Sequence, residues 1–140
     1  MSAAHPSSAE LIAEYNELPT SEDRLEWLVA RTPLRPPLQD DELHDSLLVP
    51  ECLSRLWFIA QQDGTLCSFR VRSDSKVVQG VSAFVCDLYN GLSARDILLN
   101  GSAPLVELKL EALLSFNRRR TVQRIWSKIQ IYAQREDVAP

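Results

Sequence analysis

Apolar residues recur at two different spacings along this chain, and the change of spacing divides it into three stretches. Spacings of three and four before residue 31 and after residue 73 predict amphipathic helices, because such residues share one helix face. Between them, alternation at every second residue predicts strands, whose successive side chains point to opposite faces. The apolar positions of the first two predicted helices are Leu11, Ile12, Tyr15, Leu18, Leu25, Leu28 and Val29.

The middle stretch predicts a small antiparallel sheet. Residues 54–61 are apolar on both faces, which is typical of a strand that is covered on both sides. Asp63-Gly64 favours a tight hairpin turn, after which residues 66–71 return as a second strand. Residues 46–49 are short and apolar and predict an edge strand. We therefore expect three antiparallel strands.

The last stretch predicts four helices, whose ends are marked by residues that favour helix caps. In chain order these signals are Ser73 or Asp74 and Asn90-Gly91 around a long helix, Ser93 before a short one, Pro104 and Leu114 around a third, and Asn117 before the last. Strands in one block with helices on both sides indicate an α+β fold. We expect a single domain over residues 1–140, with a three-stranded antiparallel sheet packed against helices.

Composition narrows the classes of function. Fifteen Lys and Arg against nineteen Asp and Glu give a net charge of −4, which argues against a nucleic-acid partner. The uncharged run 77–86 is far too short to span a bilayer, and the start of the chain lacks a secretion signal, so we expect a cytoplasmic protein without a membrane partner. Two histidines and three scattered cysteines offer no ligand set for a metal.

The segment from Val49 to Ser54, which reads Val-Pro-Glu-Cys-Leu-Ser, breaks the strand pattern. Pro50 cannot donate a hydrogen bond to a sheet, so the chain leaves the sheet there. Cys52 is therefore expected on a loop that the sheet holds in place, where a thiol is accessible for chemistry. The other interpretation is a small buried apolar residue, which is the usual role of a free cysteine. Cys67 and Cys86 are predicted to be core residues.

A second break is Arg118-Arg119-Arg120, which follows the predicted cap at Asn117. Three cations at a helix N-terminus oppose the helix dipole, so they indicate an anion site, a solvated corner, or pairing with acids of the first two helices. His44, eight residues before Cys52, is a candidate general base for the thiol. The sequence has no GxSxG, HExxH, P-loop or GxGxxG motif.

Five segments in order resemble the SufE/CsdE family of sulfur-acceptor proteins, over about residues 8–133. They are Glu22-Asp23-Arg24-Leu25-Glu26-Trp27-Leu28, the stretch from Val49 to Trp57, the stretch from Ser73 to Gly80, Leu88-Tyr89-Asn90-Gly91 and Leu114-Ser115-Phe116-Asn117-Arg118. The resemblance implies the fold of the iron–sulfur scaffold proteins. It also implies a protein that takes sulfane sulfur from a cysteine desulfurase, stimulates that enzyme and passes the sulfur to cluster assembly.

The resemblance also implies roles for individual residues. Cys52 matches the family's acceptor cysteine and Arg118 its arginine, which would stabilise the thiolate or dock the partner. Pro50, Glu51, Leu53 and Ser54 would form the loop around the thiol. Glu51 stands where the family has glycine and Leu53 where it has a polar residue. Phe116-Asn117 replaces Pro-Ser, and Arg119, Arg120 and Thr121 replace a stretch of Ser, Asn and Gly.

The implied partners are a cysteine desulfurase and a downstream iron–sulfur scaffold complex, and the chain itself is expected as a monomer or weak dimer. It is expected to be a sulfur carrier and not an enzyme. It would hold no cofactor, because the pyridoxal phosphate belongs to the desulfurase. Two alternatives are open. One is an interaction module that regulates a desulfurase, and the other is a thiol redox enzyme with Cys67 as its resolving cysteine.

Overall fold

A computed structural model describes residues 8–32, 38–50, 52 and 54–137, apart from the side chain of Asn117. Within these residues the chain forms six α-helices and two β-strands. The helices are α1 Ser8–Glu17, α2 Ser21–Arg31, α3 Lys76–Tyr89, α4 Ala94–Asn100, α5 Ala103–Leu108 and α6 Arg120–Asp137, and the strands are β1 Leu56–Asp63 and β2 Leu66–Ser73. The order of elements confirms the α+β class.

The two strands form an antiparallel hairpin. Leu56 lies opposite Ser73 and Asp63 opposite Leu66, so the pairing extends over both strands. Gly64 has a φ of 67°, the left-handed conformation that a tight turn requires and that glycine adopts without steric cost. Leu56, Trp57 and Phe58 are all buried, which confirms that the start of β1 is covered on both faces, whereas its last three residues are exposed.

The predicted third strand is not confirmed. Residues Asp45–Leu47 form a short 3-10 turn instead, in which the N–H of Leu48 donates to the carbonyl of Asp45 at 3.1 Å. These local bonds leave little backbone to pair with the sheet, and Pro50 ends the pairing directly afterwards. What remains is a single bridge between Leu48 and Trp57, with the N–H of Val49 donating to the carbonyl of Leu56 at 2.8 Å.

Helices α1, α2 and α3 pack together at one side of the hairpin. The rings of Tyr15 and Phe84 stack at 5.5 Å, and Trp27 meets Phe84 edge-on at the same centroid distance. Gly80 lets α2 and α3 approach closely, because a Cβ at this position would lie 3.2 Å from the backbone nitrogen of Val29. The cap of α3 is Ser75, which lies beyond the predicted Ser73 or Asp74, and its hydroxyl accepts from the N–H of Val78.

Two helix boundaries at the C-terminal side differ from the prediction. The helix predicted to run through Leu114 stops at Leu108, because Lys109 has a φ of 54° and a 3-10 turn follows at Leu110–Leu113. The last helix starts at Arg120 and not behind Asn117, since Phe116–Arg118 form another 3-10 turn. Only Arg120 of the three consecutive arginines therefore lies within α6.

Helix α6 closes the core by packing on α3 and α4. Its buried positions repeat every four residues at Thr121, Ile125, Ile129 and Ala133, which places them on one face. The neighbouring Trp126 packs its ring against Tyr89 at 5.0 Å. The start of this buried face is the part of α6 that meets the segment containing Cys52.

Candidate functional site

Cys52 lies in the short connection between Val49 and the start of β1 at Leu56. The connection leaves the sheet after Val49 and re-enters it at Leu56, and these two residues are joined by a backbone hydrogen bond. Cys52 is half-buried and packs against the edge of the hydrophobic core, and Ser54 is half-buried as well. Both expected locations of this thiol are thus partly realised, because it lies on a loop and also touches the core.

Two residues of α6 act directly on the Cys52 thiol. Thr121 is only 4% exposed, and its hydroxyl lies close enough to the thiol to favour the thiolate form. Arg124, one helical turn further, donates from Nη1 to the carbonyl of Pro50 at 3.3 Å, which joins α6 to the loop across 74 residues of sequence. The two side chains lie on the same side of the helix because they are three residues apart.

Burial and the neighbouring side chains shift the pKa of the Cys52 thiol in opposite directions. Burial is the largest influence and raises the pKa of the Cys52 thiol above its ordinary value, because a thiolate is poorly stabilised away from water. The positive charge of Arg124 and the hydrogen bond from Thr121 both lower this pKa, since each favours the thiolate over the thiol. At neutral pH the resting group is therefore mainly a protonated thiol, with a cation and a donor in place for the anion.

Arg118 lies in the 3-10 turn Phe116–Arg118, directly before α6. Its backbone N–H donates to the carbonyl of Ser115 at 2.8 Å. The side chain is half-buried, and its Nε has no hydrogen-bond partner among the described residues. The cation that acts on the thiol is Arg124, and the role of Arg118 stays a prediction. Glu51 and Leu53, the other two predicted loop residues, lie outside the described part of the chain.

Sequence reasoning missed Thr121 and Arg124. A signal for Thr121 was present, because it occupies the first position of the buried repeat that continues with Ile125 and Ile129. A hydroxyl at a core position of a helix usually has a hydrogen-bond partner. Nothing local marks Arg124, whose partner Pro50 lies in a distant segment.

The remaining cysteines lie in the core, as predicted. Cys67 and Cys86 are each 1% exposed, and the thiol of Cys67 donates to Oε1 of Gln62 at 3.2 Å. Cys67 also lies opposite Gln62 near the hairpin turn, whereas the Cys52 segment joins β1 at Leu56. Six residues of extended strand separate these two points by roughly 20 Å. This separation argues against Cys67 as a resolving cysteine.

Neither His44 nor a metal-binding group is placed at this site by the described residues. His44 is exposed and precedes the 3-10 turn at Asp45–Leu47. In the described ranges, no group of three or more His, Cys, Asp or Glu side chains is arranged to hold a metal ion. None of the described helices combines the length and apolar character needed to cross a membrane.

Two depressions flank the start of α6. One is a groove of about 380 Å³ lined by Arg120, Gln123, Arg124 and Ser127. The other is a larger cavity of about 580 Å³ whose walls are mainly apolar. Its lining residues include Leu105, Val122 and Trp126, together with Arg119 and Gln123. Gln123 lines both depressions, so this part of the helix separates them.

Comparison with known proteins gives one family. The model of the SufE family, described as "Fe-S metabolism associated domain", matches residues 9–133. The "Quinolinate synthase, chloroplastic" of Arabidopsis thaliana is 27% identical over 128 residues, which make up 90% of this chain but 17% of that protein. The chain thus corresponds to a small part of this relative's length.

The fold also matches a solved structure. The solution structure of a hypothetical protein from Thermus thermophilus superposes with a TM-score of 0.76 at 17% identity, covering 98% of this chain and 100% of that one. At this identity the match supports the fold alone.

Proposed function

The chain belongs to the SufE family of Fe-S metabolism associated domains, and on this premise we propose that it accepts sulfur from a cysteine desulfurase onto Cys52. The observation that carries the proposal is the environment of the Cys52 thiol. It is half-buried on a loop held by the sheet, with the Thr121 hydroxyl and the Arg124 guanidinium beside it. In this role the chain is a sulfur carrier that also stimulates the desulfurase, and it is not an enzyme in its own right.

The proposed step is a transfer of sulfane sulfur between two cysteines. The Cys52 thiolate attacks the outer sulfur of a persulfide on the desulfurase, by the pattern of thiol–disulfide exchange. A sulfur–sulfur bond forms at Cys52 while the donor's sulfur–sulfur bond breaks, and its electron pair leaves with the donor thiolate. The outer sulfur keeps its proton, and no external oxidant or reductant is required. The Cys52 persulfide then passes its sulfur to an iron–sulfur scaffold complex.

Thr121 and Arg124 would favour the thiolate form of Cys52 that performs this attack. Burial works in the other direction and keeps the resting group protonated, which slows its reaction with small oxidants. Arg118 is proposed as a second group, which stabilises the thiolate or grips the partner. The pyridoxal phosphate that generates the persulfide belongs to the desulfurase.

Trapping of the persulfide tests this function. After incubation with a cysteine desulfurase and cysteine, we expect mass spectrometry to find one added sulfur on Cys52 and none in Cys52→Ser. Cys67→Ala and Cys86→Ala are the matched controls. They should keep the added sulfur and lose roughly 1 kcal/mol of stability, because each creates a small cavity in the core.

Two results would contradict the proposal. A desulfurase that is stimulated while no sulfur appears on the chain would support a regulatory interaction module. A sulfenate or a disulfide formed at Cys52 after peroxide treatment, with no sulfur gained from the desulfurase, would support a thiol redox enzyme.

A further inference from the structure

The start of α6 and the residue before it form a positively charged surface, the basic ridge, made of Arg119, Arg120 and Arg124. Residues 115–135 contain six of the fifteen Lys and Arg residues and none of the nineteen Asp and Glu residues. Arg119 and Arg120 are exposed, and neither forms an ion pair with any residue that the structure describes. Arg119 and Arg120 therefore carry exposed positive charges in a chain whose net charge is −4.

The basic ridge adjoins the candidate acceptor thiol. Arg124 reaches the loop through its hydrogen bond to the carbonyl of Pro50, and its charge acts on the Cys52 thiol. Arg120 lies four residues earlier on the same helix face, and both arginines line the groove of about 380 Å³. A molecule whose reactive sulfur reaches Cys52 from this side therefore passes along the ridge.

Arg119 and Arg120 form no ion pair with a described residue that would stabilise the fold. Positive side chains at the start of a helix oppose its dipole, and adjacent cations repel each other. Residues that break a local rule without a compensating contact are candidates for function. Exposed cations beside a reactive group attract a negatively charged partner and raise its rate of association.

We propose that the basic ridge binds an acidic segment of the protein that delivers sulfur, next to the cysteine that carries the persulfide. The proposal rests on the function proposed above and adds the chemistry by which the donor is recognised. A protein partner fits better than a nucleic acid, because acids in the rest of the chain would repel an extended polyanion.

Three synthetic peptides of equal length test the proposal without a desulfurase. Each carries a cysteine persulfide at its centre, flanked on both sides by two glutamates, two glutamines or two lysines. The measured quantity is the second-order rate constant for the gain of one sulfur at Cys52. Division by the rate constant with 2-mercaptoethanol as acceptor removes the influence of the flanking charges on the persulfide itself.

We expect the glutamate peptide to react about tenfold faster than the glutamine peptide at low salt, with the lysine peptide slower still, since steering by charge raises association rates by this order or more. High salt should bring the three rates together. The double variant Arg119→Glu and Arg120→Glu should reverse their order. Arg135→Glu is the control, because Arg135 is exposed near the far end of the same helix and its loss changes the net charge in the same direction.

Equal normalised rates from the three peptides would overturn the proposal. It would also be overturned if Arg135→Glu reduced the preference for the glutamate peptide as much as the double variant does. Stronger competition by a single-stranded DNA oligonucleotide than by a glutamate peptide without the persulfide would mark the ridge as a nucleic-acid surface and overturn it too. No transfer from any peptide would instead contradict the proposed function, and the inference would fall with it. These failures are distinguishable because only the last abolishes the reaction with every donor.

Discussion

Three arginines on α2 and β2 differ from Arg119 and Arg120 in what their charges contact. Arg31 pairs with Asp87 at 3.0 Å, which joins α2 to α3. Arg70 and Arg72 of β2 pair with two acids of the connecting segment before the sheet. These acids are Glu42 at 2.6 Å and Asp40 at 2.7 Å. Each pair joins parts of the chain that are far apart in sequence.

Arg119 and Arg120 have no such pairs with the described residues, although the chain has more acids than bases. The excess of acids is therefore not distributed to neutralise every cation. Several acids hold elements of the fold together, and none lies within residues 115–135. Arg31, Arg70 and Arg72 therefore stabilise the fold, whereas Arg119 and Arg120 are available for a partner.

The largest effect is expected when one partner of the Arg31–Asp87 pair is removed. The Arg31 and Asp87 side chains are 14% and 10% exposed, and burial lowers the pKa of Arg31. Asp87→Ala leaves a buried cation without its carboxylate and should lower the free energy of unfolding by about 3 kcal/mol. Urea denaturation measures the change.

Two further variants serve as a control and as a rescue for Asp87→Ala. Arg120→Ala should change the free energy of unfolding by no more than about 0.5 kcal/mol, because its side chain is exposed. The double variant Arg31→Met and Asp87→Leu should recover most of the loss, since an apolar pair replaces the ion pair. A similar cost for Asp87→Ala and Arg120→Ala would remove the distinction between the two sets of arginines.

The next test uses pH and the pair between β2 and the connecting segment. Two hydrogen bonds from Arg70, at 2.6 and 3.0 Å, and one from the backbone N–H of Gln39, at 2.9 Å, lower the pKa of Glu42 to about 2, below the value of an unfolded glutamate. A folded pKa below the unfolded one stabilises the protein above the unfolded pKa, and this contribution is lost as pH falls through the folded pKa. Most of the loss should occur between about pH 4 and pH 2.

Glu42→Gln should therefore melt at a lower temperature than the parent chain near neutral pH, and the difference should disappear towards pH 2. Thermal melts followed by circular dichroism across this range give the measurement. Asp74→Asn is a suitable control, because Asp74 and Arg55 form a pair whose side chains are both largely exposed. A difference for Glu42→Gln that stays constant down to pH 2 would mean that the carboxylate charge does not stabilise the fold.

The smallest expected effect concerns Arg124, whose charge acts on the Cys52 thiol. Arg124→Gln removes a positive charge beside the Cys52 thiol and should move its pKa upward, and Thr121→Val should do the same by removing the hydrogen bond. Rates of alkylation by iodoacetamide across pH give the midpoint. Arg118→Ala is measured beside them, because the family resemblance gives Arg118 this role. If only Arg118→Ala moves the midpoint, Arg124 acts on the loop and not on the thiol.

The parts of the fold that the sequence predicted are those set by local patterns. The apolar repeats of α1, α2 and α3 and the hairpin at Gly64 follow from spacing and from turn chemistry. The edge strand was wrong because residues 45–48 bond to one another in a 3-10 turn, an outcome that alternation cannot reveal. The break at Lys109 was missed because its left-handed backbone is not marked by a glycine.

The candidate site divides in the same way. The loop placement of Cys52 was predicted because Pro50 forces the chain out of the sheet, and its role as acceptor stays a prediction from the family resemblance. Arg124 was missed because its contact with Pro50 joins two distant segments. Contacts of this kind depend on how helices pack on the sheet, which periodicity does not specify. Glu51 and Leu53 lie outside the described residues, so their place in the loop around the thiol stays a prediction.

The hydrogen bonds at both ends of the Cys52 segment have a consequence for the entropy of sulfur transfer. Val49 is bonded to Leu56, Pro50 to Arg124, and the carbonyl of Arg55 accepts from the hydroxyl of Ser73 at 2.7 Å. Fixing one residue's backbone costs about 1–2 kcal/mol of conformational entropy. At these anchoring residues the backbone is already fixed when the chain folds, so this entropy is not lost again when a donor binds. Under the function proposed above, more of the free energy of docking is then left for binding the donor.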